Sequence, residues 1–590
     1  MRIRSFALLA AVAIALPTAV AAGPAADRDS APTTAAQQGP RDDADSYEMY
    51  FPSQDGITTL HADVLRPAGL ALDVPTPVIL TVSPYTGHSG DTPTAYNPSA
   101  EGPSSRFYDF LDLSGALEQG YTYVMVDLPG TGGSQGCNDW GGPSEQGGVK
   151  SAVEWAASQP WSTGKVALLG KSYDGWTGLM GIAQAAQGLA AVVAMEPVYA
   201  GYNYLYNNGV KIGATATTIA AFQAGDARPG TRNDTPEYLI NSIPQPWCYP
   251  VNVAMSVTDD PDNVLWAERN LLPMVVGSTV PLFLTQGFVE RNTRQDAAFD
   301  FWNALDGEHN RAWFGQFDHD RGWDGPSEAT PEAHAEAEAY DYKTGRLGFV
   351  AEVMRFLDEH LKGITPDVAD PAIAVQDNFG RYRAEASWPP ADAESFVTDL
   401  VAGDYLDDGN NSGAGSGAGN GIWTVSQELP HAVWMAGEPR VTFTADALPR
   451  SNFAANVYDI DLDGRATVVS RGTWLLRGNT ESGSTTQTVT FDLYGQDWIF
   501  EEGHRIAVLA SSANSDWWLH APTNGTVTLS DFSIDLPLLT GDRTDYLDGE
   551  MSTRLEAWLG AETLTVPTDA FVNEVEFAIP GAISIGELFS

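Results

Sequence analysis

The chain has 590 residues, which is more than one hydrophobic core organises, so two or three domains are expected. It is 43% hydrophobic and 10% aromatic, which excludes a disordered acidic polymer. The formal net charge of −46 argues against nucleic acid or an anionic membrane surface as a partner.

The first residues have the pattern of a secretory signal peptide. Two arginines precede an apolar run over 6–16, and small residues at both ends of 19–21 suit a cleavage site. We predict a signal peptide over 1–22, a disordered linker over 23–45 and a secreted protein without membrane attachment after cleavage. An uncleaved anchor is the less favoured alternative.

Strands and helices then alternate in the way that indicates a parallel sheet with crossover helices. Short apolar runs predict the strands, and a 3.6-residue apolar period predicts the helices. The predicted strands are 46–66 (antiparallel), 77–82, 121–127, 165–169, 190–195, 281–285 and 311–317, and the predicted helices are 107–118, 144–158, 178–186, 295–305 and 342–361.

Two regions depart from this alternation. Residues 200–278 are rich in Tyr, Asn, Trp and Pro and predict a largely helical cap inserted into the parallel domain. That domain is therefore predicted in two parts, 46–199 and 279–366. Beta-type alternation dominates over 367–590, which predicts an all-beta sandwich of the jelly-roll type. Its glycine-rich stretch 409–421 is predicted to be a flexible loop and not a phosphate-binding loop.

A serine lies between a predicted strand and a predicted helix in Gly170-Lys-Ser172-Tyr-Asp-Gly175. A sharp strand-to-helix turn exposes such a serine and aims the next backbone N–H at the same point, as nucleophilic catalysis requires. The motif departs from G-x-S-x-G because Asp174 fills the fifth place and the glycine follows one residue later. We predict Ser172 as the nucleophile.

A base and an acid are expected after the last two strands of such a sheet, in the order serine, acid, histidine. His319 directly follows the strand 311–317, and Glu290 lies in the loop after the strand 281–285. We predict His319 as the base and Glu290 as the acid that orients it. Asp296 and Asp318 lie close enough in the chain to compete for the acid's role.

Two donors are expected for the oxyanion of the reaction. One is the backbone N–H of Tyr173, at the start of the helix. The second should come from the loop after the strand 77–82, where the hydroxyl of Tyr85 is the candidate. A tyrosine packed only for its ring is the alternative at that position.

Taken together, these segments resemble the S15 peptidase group of alpha/beta-hydrolases, which includes Xaa-Pro dipeptidyl-peptidases, the bacterial cocaine esterase and the alpha-amino-acid ester hydrolases. The resemblance covers nearly all of the mature chain. It rests on Ser83-Pro-Tyr85, Asp127-Leu-Pro-Gly-Thr-Gly-Gly-Ser134, Gly170-Lys-Ser-Tyr-Asp-Gly175, Gly287-Phe-Val-Glu290, Phe314-Gly-Gln-Phe-Asp-His319, Tyr458-Asp-Ile-Asp-Leu-Asp-Gly464, Ser470-Arg-Gly472 and Gly503-His-Arg-Ile506.

The resemblance implies an alpha/beta-hydrolase domain with a helical cap and a C-terminal jelly roll, and the same roles for Ser172, His319, Glu290, Tyr85 and Tyr173. The acid of the group is usually Asp, so a Glu at this place is a departure.

For the substrate, the Asn two residues after the acid resembles the Xaa-Pro dipeptidyl-peptidases, where it helps to bind the free N-terminus. Asn292 and Glu196 are therefore predicted to bind a substrate ammonium, with Glu196 adding the countercharge; a purely structural carboxylate is the alternative for Glu196. Tyrosines of the cap and Trp247 are candidates for the wall of a proline-sized pocket, or for cap core.

We predict a secreted serine hydrolase, most simply a Xaa-Pro dipeptidyl-peptidase that acts on peptides. The first alternative is an esterase or acylase of the cocaine-esterase type, acting on small esters. The second is a non-catalytic glycan-binding protein. No cofactor and no metal are expected, because no H-E-x-x-H or C-x-x-C occurs. Cys137 and Cys248 are predicted to form a disulfide, as an even pair does in an exported protein. The oligomeric state stays open.

Overall fold

The computed structural model describes residues 37–38, 41–90, 99–220, 230–243, 245–307, 309–326, 330–409, 421–478, 485–514 and 516–586. The predicted signal peptide, most of the predicted linker and the interior of the glycine-rich stretch (410–420) lie outside the described residues. Within the described ranges, no helix has both the length and the apolar character needed to span a membrane.

The first part of the chain forms a large mixed sheet. Its strands, together with two short cap strands, are β1 (Gln37–Gln38), β2 (Ala44–Pro52), β3 (Thr59–Pro67), β4 (Thr76–Ser83), β5 (Thr122–Asp127), β6 (Ser162–Lys171), β7 (Leu189–Met195), β8 (Tyr206–Asn207), β9 (Val210–Ile212), β10 (Leu282–Gly287), β11 (Arg311–Gly315), β12 (Ile373–Gln376) and β13 (Tyr382–Glu385). Among the described residues, eleven of these strands pair in the order β1-β2-β3-β5-β4-β6-β7-β10-β11-β12-β13. The run from β5 to β12 is parallel, and both ends of the sheet are antiparallel. The predicted parallel sheet is therefore confirmed.

Helices cover both faces of this sheet, which explains why every residue of β4 and β5 is buried. The helices of the sheet region are α1 (Tyr108–Ser114), α2 (Pro143–Ser158) and α3 (Tyr173–Ala183), and later in the chain α9 (Ala298–Ala304), α10 (Pro331–Glu336) and α11 (Phe349–Leu357), which continues as a π-turn over Asp358–Lys362. The predicted helices over 295–305 and 342–361 are shorter than expected. Gly348, at a φ of 86°, precedes the start of α11.

Short helical segments occupy the predicted cap region. They are α4 (Gly201–Leu205), α5 (Pro236–Asn241), a 3₁₀ turn at Pro246–Cys248, α6 (Tyr249–Ser256), α7 (Val264–Ala267) and α8 (Leu272–Val275). Cys248 is bonded to Cys137 in the loop after β5, so the predicted disulfide is confirmed and ties this region to the sheet.

Two further sheets lie in the C-terminal part. Their strands are β14 (Ala393–Asp399), β15 (Gly403–Leu406), β16 (Gly421–Ser426), β17 (Val433–Gly437), β18 (Arg440–Asp446), β19 (Ser451–Ile460), β20 (Arg465–Leu476), β21 (Thr486–Asp492), β22 (Gln496–Phe500), β23 (Arg505–Ser511), β25 (Thr526–Leu539), β26 (Thr563–Thr565) and β27 (Glu574–Val575), while β24 (Trp518–Leu519) pairs with β9. A helix, α12 (Thr553–Ala561), follows β25. The sheets share one apolar core, in which Phe443 of β18 stacks on Phe453 of β19 with 4.0 Å between ring centroids.

The large sheet extends beyond the predicted domain boundary at 366/367. Strand β12 pairs with β11, and β13 pairs with β12, so residues up to Glu385 belong to the first sheet. Residue pattern alone did not separate these edge strands from the beta-rich part that follows. Arg383 of β13 also makes a buried two-bond ion pair with Asp497 of β22, which joins the sheet to the C-terminal strands.

Candidate active site

Ser172 lies at a sharp turn between the end of β6 and the start of α3. Its φ of 63° and ψ of −120° are rare for a residue with a side chain and cost about 1–3 kcal/mol. Hydrogen bonds hold the turn, since Ser172 N–H donates to the carbonyl of Met195 at 2.9 Å and its own carbonyl accepts from Trp176 N–H at 2.9 Å. The geometry is that of the predicted nucleophile elbow.

Both glycines of the motif lie where other parts of the backbone approach closely. A Cβ at Gly170 would lie 2.3 Å from the carbonyl carbon of Asp174, inside the turn. A Cβ at Gly175 would lie 3.1 Å from the carbonyl oxygen of Met195 at the end of β7. Gly175, which lies one place later than the last glycine of G-x-S-x-G, is therefore the residue at which α3 passes close to β7.

Asp174 has a role that its place in the sequence did not predict. Its fully buried carboxylate accepts hydrogen bonds from the Ser83 hydroxyl and from the guanidinium of Arg106. The Ser83 oxygen in turn accepts from the backbone N–H of Tyr85 at 2.9 Å, and Arg106 lies 4.5 Å from the centroid of the Tyr85 ring. Asp174 thus holds the loop of Tyr85 next to the nucleophile.

Tyr85 lies beside the nucleophile, and its role as an oxyanion donor stays a prediction. Its hydroxyl shares a hydrogen bond with the side chain of Ser172. Burial, and next the charge of Asp174, raise the pKa of Tyr85, so the phenol stays neutral and able to donate. Tyr173 is the first residue of α3, and the first N–H groups of a helix have no acceptor within it. The Tyr173 hydroxyl donates a hydrogen bond to Glu145 at 2.8 Å.

His319 and Glu290 meet as a hydrogen-bonded pair. The distance between His319 Nδ1 and Glu290 Oε2 is 2.7 Å. His319 follows β11 and its side chain is 21% exposed, whereas the Glu290 side chain, after β10, is fully buried. With Nδ1 bound to the carboxylate, Nε2 is left to accept a proton. The longer arm of a glutamate is therefore compatible with the orienting role.

Glu290 is held as a carboxylate. Burial would raise its pKa, but the charge and the hydrogen bond of His319 lower it, together with hydrogen bonds from the Asn292 backbone and the Thr293 hydroxyl. The net result is a pKa of about 2. The group thus stays ionised throughout the neutral range, as an acid that stabilises an imidazolium must.

The two competing aspartates are engaged elsewhere. Asp296 accepts hydrogen bonds from the Asn207 amide and from the Tyr494 hydroxyl, the latter at 3.0 Å. Asp318 accepts from the Arg291 backbone at 3.1 Å. Of the three carboxylates, Glu290 is the one hydrogen-bonded to the imidazole ring of His319.

Thr293 links the two halves of the site, a role that the sequence did not predict. Its hydroxyl oxygen lies 2.8 Å from the carbonyl oxygen of Glu196, 3.1 Å from Glu290 Oε2 and 3.4 Å from His319 Nδ1, so its one proton is shared between the two acceptor oxygens. Glu196 directly follows Met195, whose carbonyl accepts from Ser172 N–H. Ser172 therefore follows the carboxyl-terminal end of β6, and the Glu290–His319 pair follows the same ends of β10 and β11, with β7 between them in the sheet.

The two predicted substrate-binding residues differ in position. The side-chain oxygen of Asn292 accepts from the Tyr204 hydroxyl at 2.7 Å, and this side chain is partly exposed. Glu196 is completely buried and accepts from the Thr285 hydroxyl at 3.1 Å and from the Gly287 N–H at 3.0 Å. Burial and the charge of Glu290 raise the pKa of Glu196 well above its usual range. Its position does not favour contact with a substrate and matches the structural alternative.

The aromatic residues of the predicted cap also differ in burial and in the contacts that they make. Tyr199 is buried and donates to Gln286 at 2.9 Å, while Tyr202 and Tyr206 stack on each other at 5.5 Å. Trp247 is 67% exposed. Tyr204 contacts Asn292 and so borders the site.

The comparisons with known proteins agree with this geometry. Residues 55–321 match the family model described as X-Pro dipeptidyl-peptidase (S15 family). A Streptomyces avermitilis protein provisionally assigned as a Xaa-Pro dipeptidyl-peptidase is 22% identical, over 89% of this chain and 86% of its own. The Lacticaseibacillus casei Xaa-Pro dipeptidyl-peptidase is 24% identical, over 50% of this chain and 37% of its own.

Solved structures share the fold. A CocE/NonD family hydrolase from Staphylococcus aureus superposes with a TM-score of 0.62 at 15% identity, covering 84% of this chain and 94% of its own. An alpha-amino-acid ester hydrolase superposes with a TM-score of 0.60 at 17% identity, covering 88% of this chain and 100% of its own.

The protein is therefore a serine hydrolase with an alpha/beta-hydrolase domain and additional antiparallel sheets in its C-terminal part. The resemblance to the S15 peptidase group is confirmed, and with it the choice of an enzyme over a glycan-binding protein.

Proposed function

We propose that this protein is a secreted Xaa-Pro dipeptidyl-peptidase that releases dipeptides from peptide N-termini through an acyl-enzyme. The observation that carries the proposal is the 2.7 Å hydrogen bond between His319 and Glu290, at the same sheet edge as the strained Ser172. The match of residues 55–321 to the S15 family supports the peptidase chemistry.

In the proposed reaction, His319 Nε2 takes the proton of the Ser172 hydroxyl while the serine oxygen attacks the carbonyl carbon of the proline residue. The oxyanion accepts hydrogen bonds from the Tyr85 hydroxyl and the Tyr173 N–H. The resulting imidazolium is stabilised by Glu290 and gives its proton to the leaving amine. His319 then activates a water molecule, which hydrolyses the ester bond between the acyl group and Ser172.

A dipeptidyl-peptidase must also bind the free substrate N-terminus. Asn292 supports this role because its amide oxygen has a second lone pair beside the one that accepts from Tyr204. Asn292 also follows Glu290 by two residues, so its backbone N–H, which donates to Glu290, couples the binding residue to the orienting acid.

One observation favours a second candidate, a carboxylic-ester hydrolase. Glu196, the residue expected to supply the countercharge of a substrate ammonium, is fully buried beneath the site. An ester hydrolase does not bind a substrate ammonium group and therefore needs no such negative charge.

Kinetics with paired substrates distinguish the two candidates. We expect efficient hydrolysis of a free Xaa-Pro chromogenic amide and loss of activity on its N-acetylated form. Equal activity on both forms, or activity on short-chain esters alone, would establish the ester hydrolase instead. Ser172→Ala should abolish turnover, with Ser158→Ala as the matched control, because Ser158 is exposed at the end of α2. Turnover that survives Ser172→Ala would overturn both candidates.

Secretion rests on the signal-peptide pattern of residues 1–22, and the Cys137–Cys248 disulfide supports an oxidising compartment. N-terminal sequencing of protein from the culture medium should give a start near residue 23. Full-length protein retained inside the cell would contradict this part of the proposal.

A further inference from the structure

Two histidines and an aspartate form a buried cluster outside the proposed catalytic residues. His61 and Asp63 lie two residues apart on β3, and His88 lies in the loop after β4. Residues at this spacing on a strand face the same side. Asp63 is 3.0 Å from His88 Nε2 and 3.8 Å from His61 Nε2, and the three ligating atoms all lie within 4.8 Å of one another.

The other ring nitrogen of each histidine is bound to a carboxylate. His61 Nδ1 is 2.8 Å from Asp127, and His88 Nδ1 is 2.7 Å from Asp234. Carboxylates in this outer position fix the orientation of metal-binding histidines and set which nitrogen carries the proton. Both Nε2 atoms are thereby directed to the side of Asp63.

His61 supplies an independent indication of a ligand. Its side chain is 1% exposed, and its Nε2 is buried without a hydrogen-bond partner among the described residues. A buried nitrogen without a hydrogen-bond partner is destabilising. Because Nδ1 donates to Asp127, Nε2 is the nitrogen whose lone pair a metal ion would bind in place of a proton.

The rings are held in place by close packing. Tyr238 stacks on His88 with 4.2 Å between centroids and meets the edge of His61 at 4.9 Å. A Cβ at Gly102 would lie 2.4 Å from the His88 ring, and one at Gly133 would lie 2.8 Å from the His61 ring. The ligands are therefore arranged by the fold before any ion binds.

We propose that His61, Asp63 and His88 bind one divalent transition-metal ion, with Zn²⁺ the best match to the donor set. Two imidazoles and a carboxylate are typical Zn²⁺ ligands, with bonds of about 2.0–2.2 Å. Ligands of a tetrahedral ion at that distance lie about 3.3 Å apart. The distance from His88 Nε2 to Asp63 Oδ2 is 3.0 Å, and that from His61 Nε2 to Asp63 Oδ1 is 3.8 Å, so both are close to this value.

The role of this ion is structural and does not depend on the proposed function. Asp234 and Tyr238 come from the cap region, whereas His88 follows Tyr85 by three residues. The bound ion would therefore join the cap to β3 and to the loop that carries the oxyanion donor.

The sequence has no recognisable metal-binding motif at this site, because the three ligands come from one strand and a distant loop.

The test is metal analysis of tag-free wild-type protein, purified without chelator, by mass spectrometry. We expect about one Zn²⁺ per chain. After removal of the metal with dipicolinate, calorimetry with ZnCl₂ should give a 1:1 isotherm, and the melting temperature should rise on adding Zn²⁺ but not Ca²⁺. Co²⁺ in place of Zn²⁺ should give visible absorption bands of a tetrahedral ion.

Variants assign the site. His61→Gln and Asp63→Asn should weaken Zn²⁺ binding at least 100-fold, and Asp127→Asn by about 10–100-fold. His309→Gln is the matched control, because that side chain is 54% exposed and lies away from the cluster, and it should bind as wild type does. Wild-type protein that neither retains nor takes up Zn²⁺ at 100 µM would overturn the proposal, leaving a proton as the occupant. Undiminished binding by both His61→Gln and Asp63→Asn would overturn it as well. Should the variants fail to fold, the wild-type measurements decide.

Discussion

The guanidinium of Arg554, in α12, donates two hydrogen bonds to the carboxylate of Asp320, the residue next to His319. The two hydrogen bonds measure 3.0 and 3.1 Å, and Asp320 is 1% exposed. Lys343 adds a second cation at 3.0 Å. The C-terminal part of the chain thus fixes the loop that presents the proposed base, although Arg554 is 235 residues from His319 in the sequence.

Arg554→Ala is expected to lower kcat by roughly 10-fold with little change in KM, because a small displacement of the histidine loop misaligns the base. Steady-state kinetics on a Xaa-Pro amide or an ester measure both parameters. Arg440→Ala, which removes an exposed ion pair with Asp492, is the matched control and should leave kcat unchanged. An unchanged kcat in Arg554→Ala would show that the loop is fixed without this contact.

Glu290→Gln is expected to reduce kcat by roughly 10³–10⁴-fold, because an amide cannot stabilise the imidazolium of His319. Glu290→Asp should retain more activity than Gln but less than wild type, since its shorter arm keeps the charge and lengthens the 2.7 Å contact. Glu336→Gln, at an exposed site in α10, serves as the control. Similar activities of Glu290→Gln and the wild type would assign the acid's role to another residue.

Tyr85→Phe is expected to lower kcat by about 10²–10³-fold, the usual effect of losing one oxyanion donor. The ring and its contact with Arg106 remain, so folding and KM should change little. Tyr340→Phe, with a half-exposed side chain, is the control. Circular dichroism should report the same fold for both variants. A loss confined to KM would make Tyr85 a binding residue only.

Glu438→Gln is expected to stabilise the protein at pH 8 and not at pH 4. Burial, and then the charges of Asp492, Asp300 and Asp296, raise the pKa of Glu438 to about 8. A carboxyl whose pKa is higher in the folded than in the unfolded state binds its proton more tightly when folded. Its contribution to stability is therefore lost as the pH rises from about 4.5 to about 8.

Melting temperatures across that pH range measure the effect. The variant should exceed the wild type by a few degrees at pH 8 and converge with it below pH 4.5, where both side chains are neutral. Glu502→Gln, at an exposed site, should follow the wild-type curve throughout. A constant offset at all pH values would mean that packing, and not ionisation, separates Glu438→Gln from the wild type.

The parallel strands could be predicted because each is a short apolar run that is buried on both faces, as β4 and β5 are. The sequence predicted the strands at the edge of the large sheet less well. Strands β12 and β13 look like the beta-rich part that follows them, yet hydrogen bonding to β11 assigns them to the first sheet. Pairing partners depend on the arrangement of the whole chain, which no local pattern encodes.

By itself, the sequence determined the elements that carry the site: the turn at Ser172, the strand ends before Glu290 and His319, and the resemblance to the S15 peptidase group. Local propensity and strand order encode these features, because each is read within a few residues. The tertiary structure alone decided which carboxylate contacts His319, that Glu196 is buried, and that Asp174, Thr293 and Arg554 position the site. The physical reason is that burial and hydrogen-bond partners are set by residues distant in the chain, which meet only once the core has packed.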